Sequence, residues 1–524
     1  MKSIFKAVAL ITFFTIITRF LGFVFRVYLS REIGAEALGI FQVALSVFMV
    51  LVTFVASGLP LVISKISARL TTNGQVKEER AMVTTALIIG VITASITCLI
   101  VLLFRNLLGY IFTDERCIIL LIILLPAVIF NAIYSTFRGY LWGHSNYFGL
   151  CIAELFEQIV RIIICVIMLA GAITIMDGAI TASVSLTIAC ALSAIFVTIL
   201  YFVYGGKLSK PRGYTCELLK TSTPITSVRL ASSLIQPIIA IIIPLRLVAS
   251  GLTSSEAMSL FGIAMGMTLP FLFIPSALIG SLGMALVPDL SSASVQQDTK
   301  HVKNRISQSI IITTFISCFF VPLYMGAGEN IGIFFYDNAL SGQLLVCSAW
   351  IMIPIGITSI TSAILNALGY ELKSMKNYII GSILMLLGIW LLPQFIGIHS
   401  VIISMGVCMT ISSILNIRMI SKVTSTKVEI VKQLMIMLAI SLPVASLTSF
   451  ITSILNNFLP LFINLAISCS IGGFFFLALC QMFGILDILQ FVKNYIQKHS
   501  NNSIMKRITK LIKKLKIRFN NKKI

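Results

Sequence analysis

Uninterrupted apolar runs of about 20 residues recur along this chain of 524 residues, and a helix of that length crosses the hydrocarbon core of a bilayer. The residues are 58% hydrophobic and only 11% charged, with a mean hydropathy of +1.03. In water, so much apolar side chain would leave large oily patches on any folded surface. In lipid the conflict disappears, but the backbone must satisfy its own hydrogen bonds, which leaves helices or a closed barrel. The runs are continuous rather than alternating with period two, which selects helices. The expected fold class is an all-α polytopic membrane protein.

About fourteen spans are expected, at 4–28, 37–62, 81–104, 117–141, 148–170, 179–204, 223–248, 257–287, 307–328, 341–367, 378–395, 398–419, 433–454 and 460–483. The division between 378–395 and 398–419 rests on Pro393, Gly397 and His399. The first run, Ile4 to Tyr28, is long for a signal peptide, and no small-residue cleavage site follows it, so it reads as a retained span.

Charge supports this count. With the N-terminus in the cytoplasm, 31 of the 39 Lys and Arg fall on the inner side and only Arg31, Arg105 and Arg116 on the outer. One span more or fewer in the middle would destroy that bias, so an even count with both termini inside is expected. The net charge of +21 is then membrane topology rather than a nucleic-acid footprint: the basic segments are short, separated by spans and free of stacking aromatics. The expected location is a bacterial-type plasma membrane.

The eleven cysteines are scattered through apolar runs with no C-x-x-C, so neither a metal site nor a disulfide framework is expected. There is no phosphate-loop motif for an ATP motor, no H-E-x-x-H and no loop long enough to form a catalytic domain. No catalytic residue, cofactor or metal is therefore expected, and the chain reads as a non-enzyme.

Two short turns share residues. Gly139-Tyr140 is followed by Asn146-Tyr147, and Gly369-Tyr370 by Asn377-Tyr378, six spans later. An even offset would make a parallel repeat, although four matched residues also arise by chance. On the repeat reading the domains are an N-terminal lobe at 1–204, a cytoplasmic linker at 205–222, a C-terminal lobe at 223–420 and two extra spans at 433–483. The tail, 485–524, carries Ile504, Ile508, Leu511, Leu515 and Phe519 at helical spacing amid lysines and arginines. It reads as a basic amphipathic helix on anionic lipid, or as a disordered basic tail.

Charges inside spans carry the functional argument, because an arginine at a span centre costs about 2.5–3.5 kcal/mol on insertion scales. Arg19 and Arg26 lie nearly two turns apart, on one face of the first span. Glu154, Glu157 and Arg161 share a face of the fifth, Glu157 and Arg161 in the favourable i,i+4 order. Arg229 enters the seventh, and Arg246, near its outer end, could snorkel. One glutamate could neutralise Arg161 and the other pair with Arg19 or Arg229, which leaves an excess of positive charge. Such an excess facing a cavity suits an anionic substrate, and guanidinium matches phosphate oxygens; the competing reading has Arg19 and Arg161 lock helices together through the glutamates. Six of the fourteen prolines lie from Pro224 to Pro288. Pro237, Pro244, Pro270 and Pro275 mark the seventh and eighth spans as a hinge, or as ordinarily packed but bent helices.

The residues then suggest a family. Thr18-Arg19-Phe20-Leu21-Gly22-Phe23-Val24-Phe25-Arg26, Gly34-Ala35-Glu36-Ala37-Leu38-Gly39-Ile40-Phe41-Gln42, Ser57-Gly58-Leu59-Pro60 with Ile63-Ser64-Lys65, and Glu157-Gln158 with Arg161 resemble polysaccharide-export flippases. The likeness is greatest to the stage V sporulation protein B-like branch, related to bacterial lipid II flippases, in the multidrug/oligosaccharidyl-lipid/polysaccharide exporter superfamily. The resemblance covers nearly the whole chain. It implies alternating access around a central cationic cavity, with Arg19 and Arg26 matching the arginines that line it in lipid II flippases. The chain departs from those flippases in having no basic residue between Gln42 and Lys65.

The resulting expectation is a flippase that moves an undecaprenyl-pyrophosphate-linked saccharide or peptidoglycan precursor to the outer leaflet, in cell-envelope or spore-cortex synthesis. Arg19, Arg26 and Arg229 would bind the pyrophosphate, and Glu154, Glu157 and Arg161 would orient them or couple to a cation, Na⁺ or H⁺. Partners would be the anionic lipid-linked saccharide, membrane lipids and cell-wall synthesis enzymes, with no nucleic acid. The rival readings are a cation-coupled multidrug exporter of the same superfamily and a non-transporting membrane scaffold.

Overall fold

The computed structural model describes residues 2–171, 174–211, 213–424 and 431–484. The basic tail, 485–524, lies outside the described residues, and with it the amphipathic-helix expectation. Nineteen α-helices run in the order α1 (Lys2–Ala56), α2 (Leu59–Thr72), α3 (Val76–Leu103), α4 (Arg105–Ile111), α5 (Arg116–Gly143), α6 (Tyr147–Leu169) and α7 (Ile175–Val203). There follow α8 (Thr215–Ser233), α9 (Ile235–Ala249), α10 (Ser254–Phe261), α11 (Leu269–Val295), α12 (Thr299–Tyr336), α13 (Ala339–Ser348) and α14 (Met352–Ala367). The last are α15 (Glu371–Leu391), α16 (Pro393–Ile396), α17 (His399–Thr424), α18 (Val431–Leu455) and α19 (Leu461–Met482). The described residues contain no strand, as expected of an all-α membrane protein.

Among the described residues twelve stretches are long and apolar enough to cross a membrane, against the fourteen or so expected. Two sites account for the difference. Leu10–Thr72 is one stretch of 63 residues, where two spans with a loop were expected. Helix α6 is strongly apolar on average but carries three charged residues, Glu154, Glu157 and Arg161, more than a spanning stretch usually holds. Helix ends follow local chemistry. Thr174 and Asp177 form a capping box on α7, Thr253 and Glu256 another on α10, and the Asn146 side chain accepts from the Gly149 amide at 3.0 Å to start α6.

The expected loop at 29–36 is reduced to a single kink. Gly34 sits at φ 76°, ψ 174° inside α1, so two helical lengths meet there without a break in the chain. That backbone region is essentially restricted to glycine. No atom lies within 4 Å of where a Cβ would stand, so a substitution meets only backbone strain. Gly34→Ala is therefore expected to cost about 1–3 kcal/mol. Thermal unfolding of the detergent-solubilised protein would read this as a lowered midpoint, and an unchanged midpoint would mean that the kink is not held in this geometry.

The prolines act at two places. Pro237 has no amide hydrogen for the Ser233 carbonyl, and the helix is interrupted at Leu234, between α8 and α9. Pro270 likewise cannot bond to Gly266, and the turns before it, Gly262–Thr268, are π-helical. Pro244 and Pro275 lie inside α9 and α11, which continue through them.

The shared turns do not occupy equivalent positions. Gly139 lies within α5, packed on Pro60 and Ile63, whereas Gly369 is the left-handed residue that follows α14. The residue with left-handed backbone after α5 is Ser145 (φ 55°).

The chain forms two compact units. The larger holds the chain to Phe320 and Gly328–Val428. In it α1 packs on α5, α6, α7 and the π-helical segment, α5 on α2, α3 and α7, α11 on α14, and α15 and α14 on α17. The smaller holds Val321–Ala327 and, of the later described residues, 431–484. There Asn464, at the start of α19, donates to the Thr452 carbonyl at 3.0 Å and accepts from Ser468 at 2.8 Å, which ties α18 to α19. Outside the spans, Asp114 is pushed up by burial but held below the usual carboxylate value by the Arg116 side chain and amide, whose Nη2 donates to it at 2.7 Å.

A candidate substrate cavity

Helix α1 builds the site from both sides of its kink. Eight residues before Gly34, Arg26 lines a cavity of about 440 Å³; eight residues after it, Gln42 lines the same cavity, with Ser46 one turn further. Gln236 enters from α9, just past the break at Leu234, and Met265 from the π-helical segment. The opposite wall comes from α15 and α17, with Tyr378, Met385, Ile389, Met405 and Met409. Pro270 also lines the cavity, and Pro237, Pro244 and Pro275 do not.

Arg26 is the one charged side chain among the lining residues. Among the described residues it makes neither a hydrogen bond nor an ion pair. It lies within electrostatic reach of Tyr336 and of a second cation, Arg161. Beside it Phe23, Phe271 and Phe335 pack edge to face, with ring centroids 5.1–5.9 Å apart, and Tyr336 joins Phe271 at 5.7 Å. A guanidinium with no internal partner, set among aromatic rings and an apolar wall, is an open anion site: its donors are unused, and the low-dielectric surroundings strengthen any charge pair it forms.

The remaining expected site residues do not line this cavity. Arg19 is exposed on the face of α1 that also carries Phe23 and Arg26, and among the described residues it has no ion pair or hydrogen bond. Arg229 donates from Nη1 to the Ser57 carbonyl at 2.8 Å, and so holds α8 to the junction between α1 and α2. Glu154 pairs with Arg138 at 2.8 Å, not with Arg19 or Arg229. Arg138 projects from the last turns of α5 onto α6. Both side chains of that pair are more than a third exposed, so its worth is about 1 kcal/mol or less. Arg161 donates to Gln158 and stands 5.9 Å from the Phe25 ring, and the expected ion pair with Glu157 is not made. Glu157 faces Ser193 on α7, within electrostatic reach of Arg161, Glu154 and Arg138. Arg246 donates to the Trp390 carbonyl at 2.8 Å and stacks on its ring at 4.8 Å. The structure thus sets Arg161 within electrostatic reach of Arg26, pairs Glu154 with Arg138, and leaves Arg19 and Arg229 apart from the cavity.

Along α1, Gln42 and Ser46 lie between two close contacts, and Arg26 lies before the first of them. On one side Gly39 and Gly262 meet backbone to backbone: a Cβ on Gly39 would fall on the Met258 carbonyl oxygen, and one on Gly262 on that of Ala35. On the other, Gly58 packs on Ser222 and Thr226 of α8, beside the Arg229 bond to Ser57. Further along α2, Arg69 pairs with Glu217 at 3.0 Å.

A family model described as "Polysaccharide biosynthesis protein" matches residues 4–294. Stage V sporulation protein B of Bacillus subtilis is 27% identical over 434 residues, covering 79% of this chain and 83% of that protein. Lipid II flippase MurJ of the same organism is 19% identical, covering 74% and 76%. Among solved structures, lipid II flippase MurJ in an inward closed conformation superposes with a TM-score of 0.69 at 17% identity, over 91% of this chain and 98% of that one. An inward-facing multidrug resistance transporter of the MATE family, in the MOP superfamily, superposes with a TM-score of 0.64 at 15% identity, over 78% and 94%. The family match spans more than half the sequence, and the chain belongs to the polysaccharide biosynthesis protein family.

Proposed function

We propose that this protein flips an undecaprenyl-pyrophosphate-linked saccharide or peptidoglycan precursor from the inner to the outer leaflet by alternating access. The observation that carries the reading is the free Arg26 guanidinium in a cavity whose lining holds no acidic residue. Arg26 takes the phosphate, and Arg19, on the same face of α1, meets it on entry. The breaks at Leu234 and Gly262–Thr268 let α8, α9 and α11 bend while the two contacts along α1 open in turn. Both termini are cytoplasmic by the charge bias. A coupling cation, Na⁺ or H⁺, would act through Glu157 and its neighbours. The sporulation proteins among the similar chains favour a role in spore-envelope synthesis beside cell-wall enzymes.

The membrane potential supplies about 2.3 kcal/mol per charge per 100 mV. An anionic head group moving outward gains it directly. If Arg26 cancels that charge, the gain appears when the empty cationic cavity returns inward. A cationic-drug exporter would favour acidic residues in the cavity, and the lining holds none.

The test is leaflet accessibility of a fluorescent polyprenyl-diphosphate saccharide in proteoliposomes under an imposed potential. Transfer faster than in protein-free vesicles, and faster still with the potential negative on the donor side, is expected. Export of cationic dyes with no lipid transfer would favour the drug-exporter reading, and activity with neither would favour the scaffold.

A further inference from the structure

We infer that the cavity selects a neutral saccharide, with Gln42 and Gln236 hydrogen-bonding its hydroxyls while Arg26 alone takes the phosphate. This rests on the flippase reading above and narrows its substrate. Gln42, on α1, and Gln236, on α9, both line the cavity, and among the described residues neither amide has a hydrogen-bond partner. Each primary amide offers two donors and a carbonyl acceptor, the combination that sugar hydroxyls complement. Gln42 is half-buried and Gln236 exposed, and neither amide is spent on an internal hydrogen bond among the described residues, so both are available to an incoming solute. Ser46 adds a third polar group, although its hydroxyl already donates to the Val43 carbonyl at 2.7 Å.

Charge sets the limit on what enters. Arg26 is the one cation in the lining, the roughly two negative charges of a diphosphate already exceed it, and the facing wall of Met385, Met405 and Met409 offers no counter-charge. A head group bearing further carboxylates would bring an unpaired anion against that wall, at a high desolvation cost. A neutral sugar brings none. The apolar face of its ring finds Tyr378 in the same lining, and the cavity of about 440 Å³ falls in the usual size range for a small-molecule site.

The experiment compares two polyprenyl-diphosphate lipids in the same proteoliposomes, one with a neutral disaccharide and one in which a hexuronic acid replaces a hexose. Wild-type protein is expected to transfer the neutral lipid at least roughly tenfold faster, since a buried unpaired charge is heavily penalised. Gln42→Leu and Gln236→Leu are each expected to slow the neutral lipid by about tenfold, the loss of one or two hydrogen bonds. Gln42→Lys should move the preference toward the uronate, a change of ratio that misfolding would not produce. Equal rates for the two lipids, or leucine variants as fast as wild type, would overturn the inference and leave the flippase reading standing. No transfer of either lipid by wild type would overturn both.

Discussion

Arg26→Ala lowers the transfer of a lipid-linked saccharide by roughly 10- to 150-fold at subsaturating substrate. A hydrogen bond to a charged group is worth about 1.5–3 kcal/mol, and about 1.36 kcal/mol is a factor of ten in rate. Arg26 lines the cavity and makes no hydrogen bond or ion pair among the described residues. Its removal therefore strands no internal carboxylate, and a large drop in thermal stability is not expected. Arg26→Lys keeps the charge but loses the planar fork that engages two phosphate oxygens, so it should fall between wild type and alanine. Arg19→Ala, on the same helix face but outside the cavity, should cost less. Arg229→Ala should act chiefly on stability, through the lost bond to the Ser57 carbonyl. Initial rates of transfer for the four variants, beside their melting curves, give the ranking. Equal losses for Arg19 and Arg26 would move the phosphate site away from the cavity.

The same residues show how far the sequence alone could reach. Helical architecture was legible because lipid burial demands long apolar runs, and the runs leave no alternative. Arg26 was legible because a charge in such a run is conspicuous. Gln42, Gln236 and Tyr378 were not, since uncharged polar and aromatic residues are unremarkable in a span and only the fold brings α1, α9 and α15 around one space. Arg138 escaped because it stands near a helix end, where a basic residue is expected for topology, and its pairing with Glu154 depends on how α5 and α6 pack. The Glu157–Arg161 spacing was favourable on one helix, but Arg161 took a closer local partner, Gln158. The prolines located the two breaks to within a turn. That one break would be π-helical followed from no local signal besides Pro270, and the kink at Gly34 was hidden in what read as a loop.

Gly262→Val is the second substitution expected to have a large effect, and it separates a gate from fixed packing. The added Cβ would fall on the Ala35 carbonyl oxygen and stand 2.8 Å from the Gly39 nitrogen. These are backbone atoms, so no side-chain rotation relieves the clash, and overpacking of this kind costs about 1–3 kcal/mol. If α1 and the π-helical segment touch in only one state of the transport cycle, that cost falls on that state alone. Its population relative to the other then drops roughly 5- to 150-fold, and the contact near Gly39 opens. Transfer should fall by at least about fivefold, the protein being held on one side of its cycle. A cysteine placed at Ser46, in a background with the exposed Cys216 and Cys347 replaced by serine, should react faster with an impermeant thiol reagent added from the side of the Gly34 kink. Gly39→Ala, the reciprocal change at the same crossing, should shift labelling in the same direction. If labelling stays constant while the melting temperature falls, the crossing is permanent packing, and the moving contact must be sought at the second close contact along α1, where Gly58 meets α8.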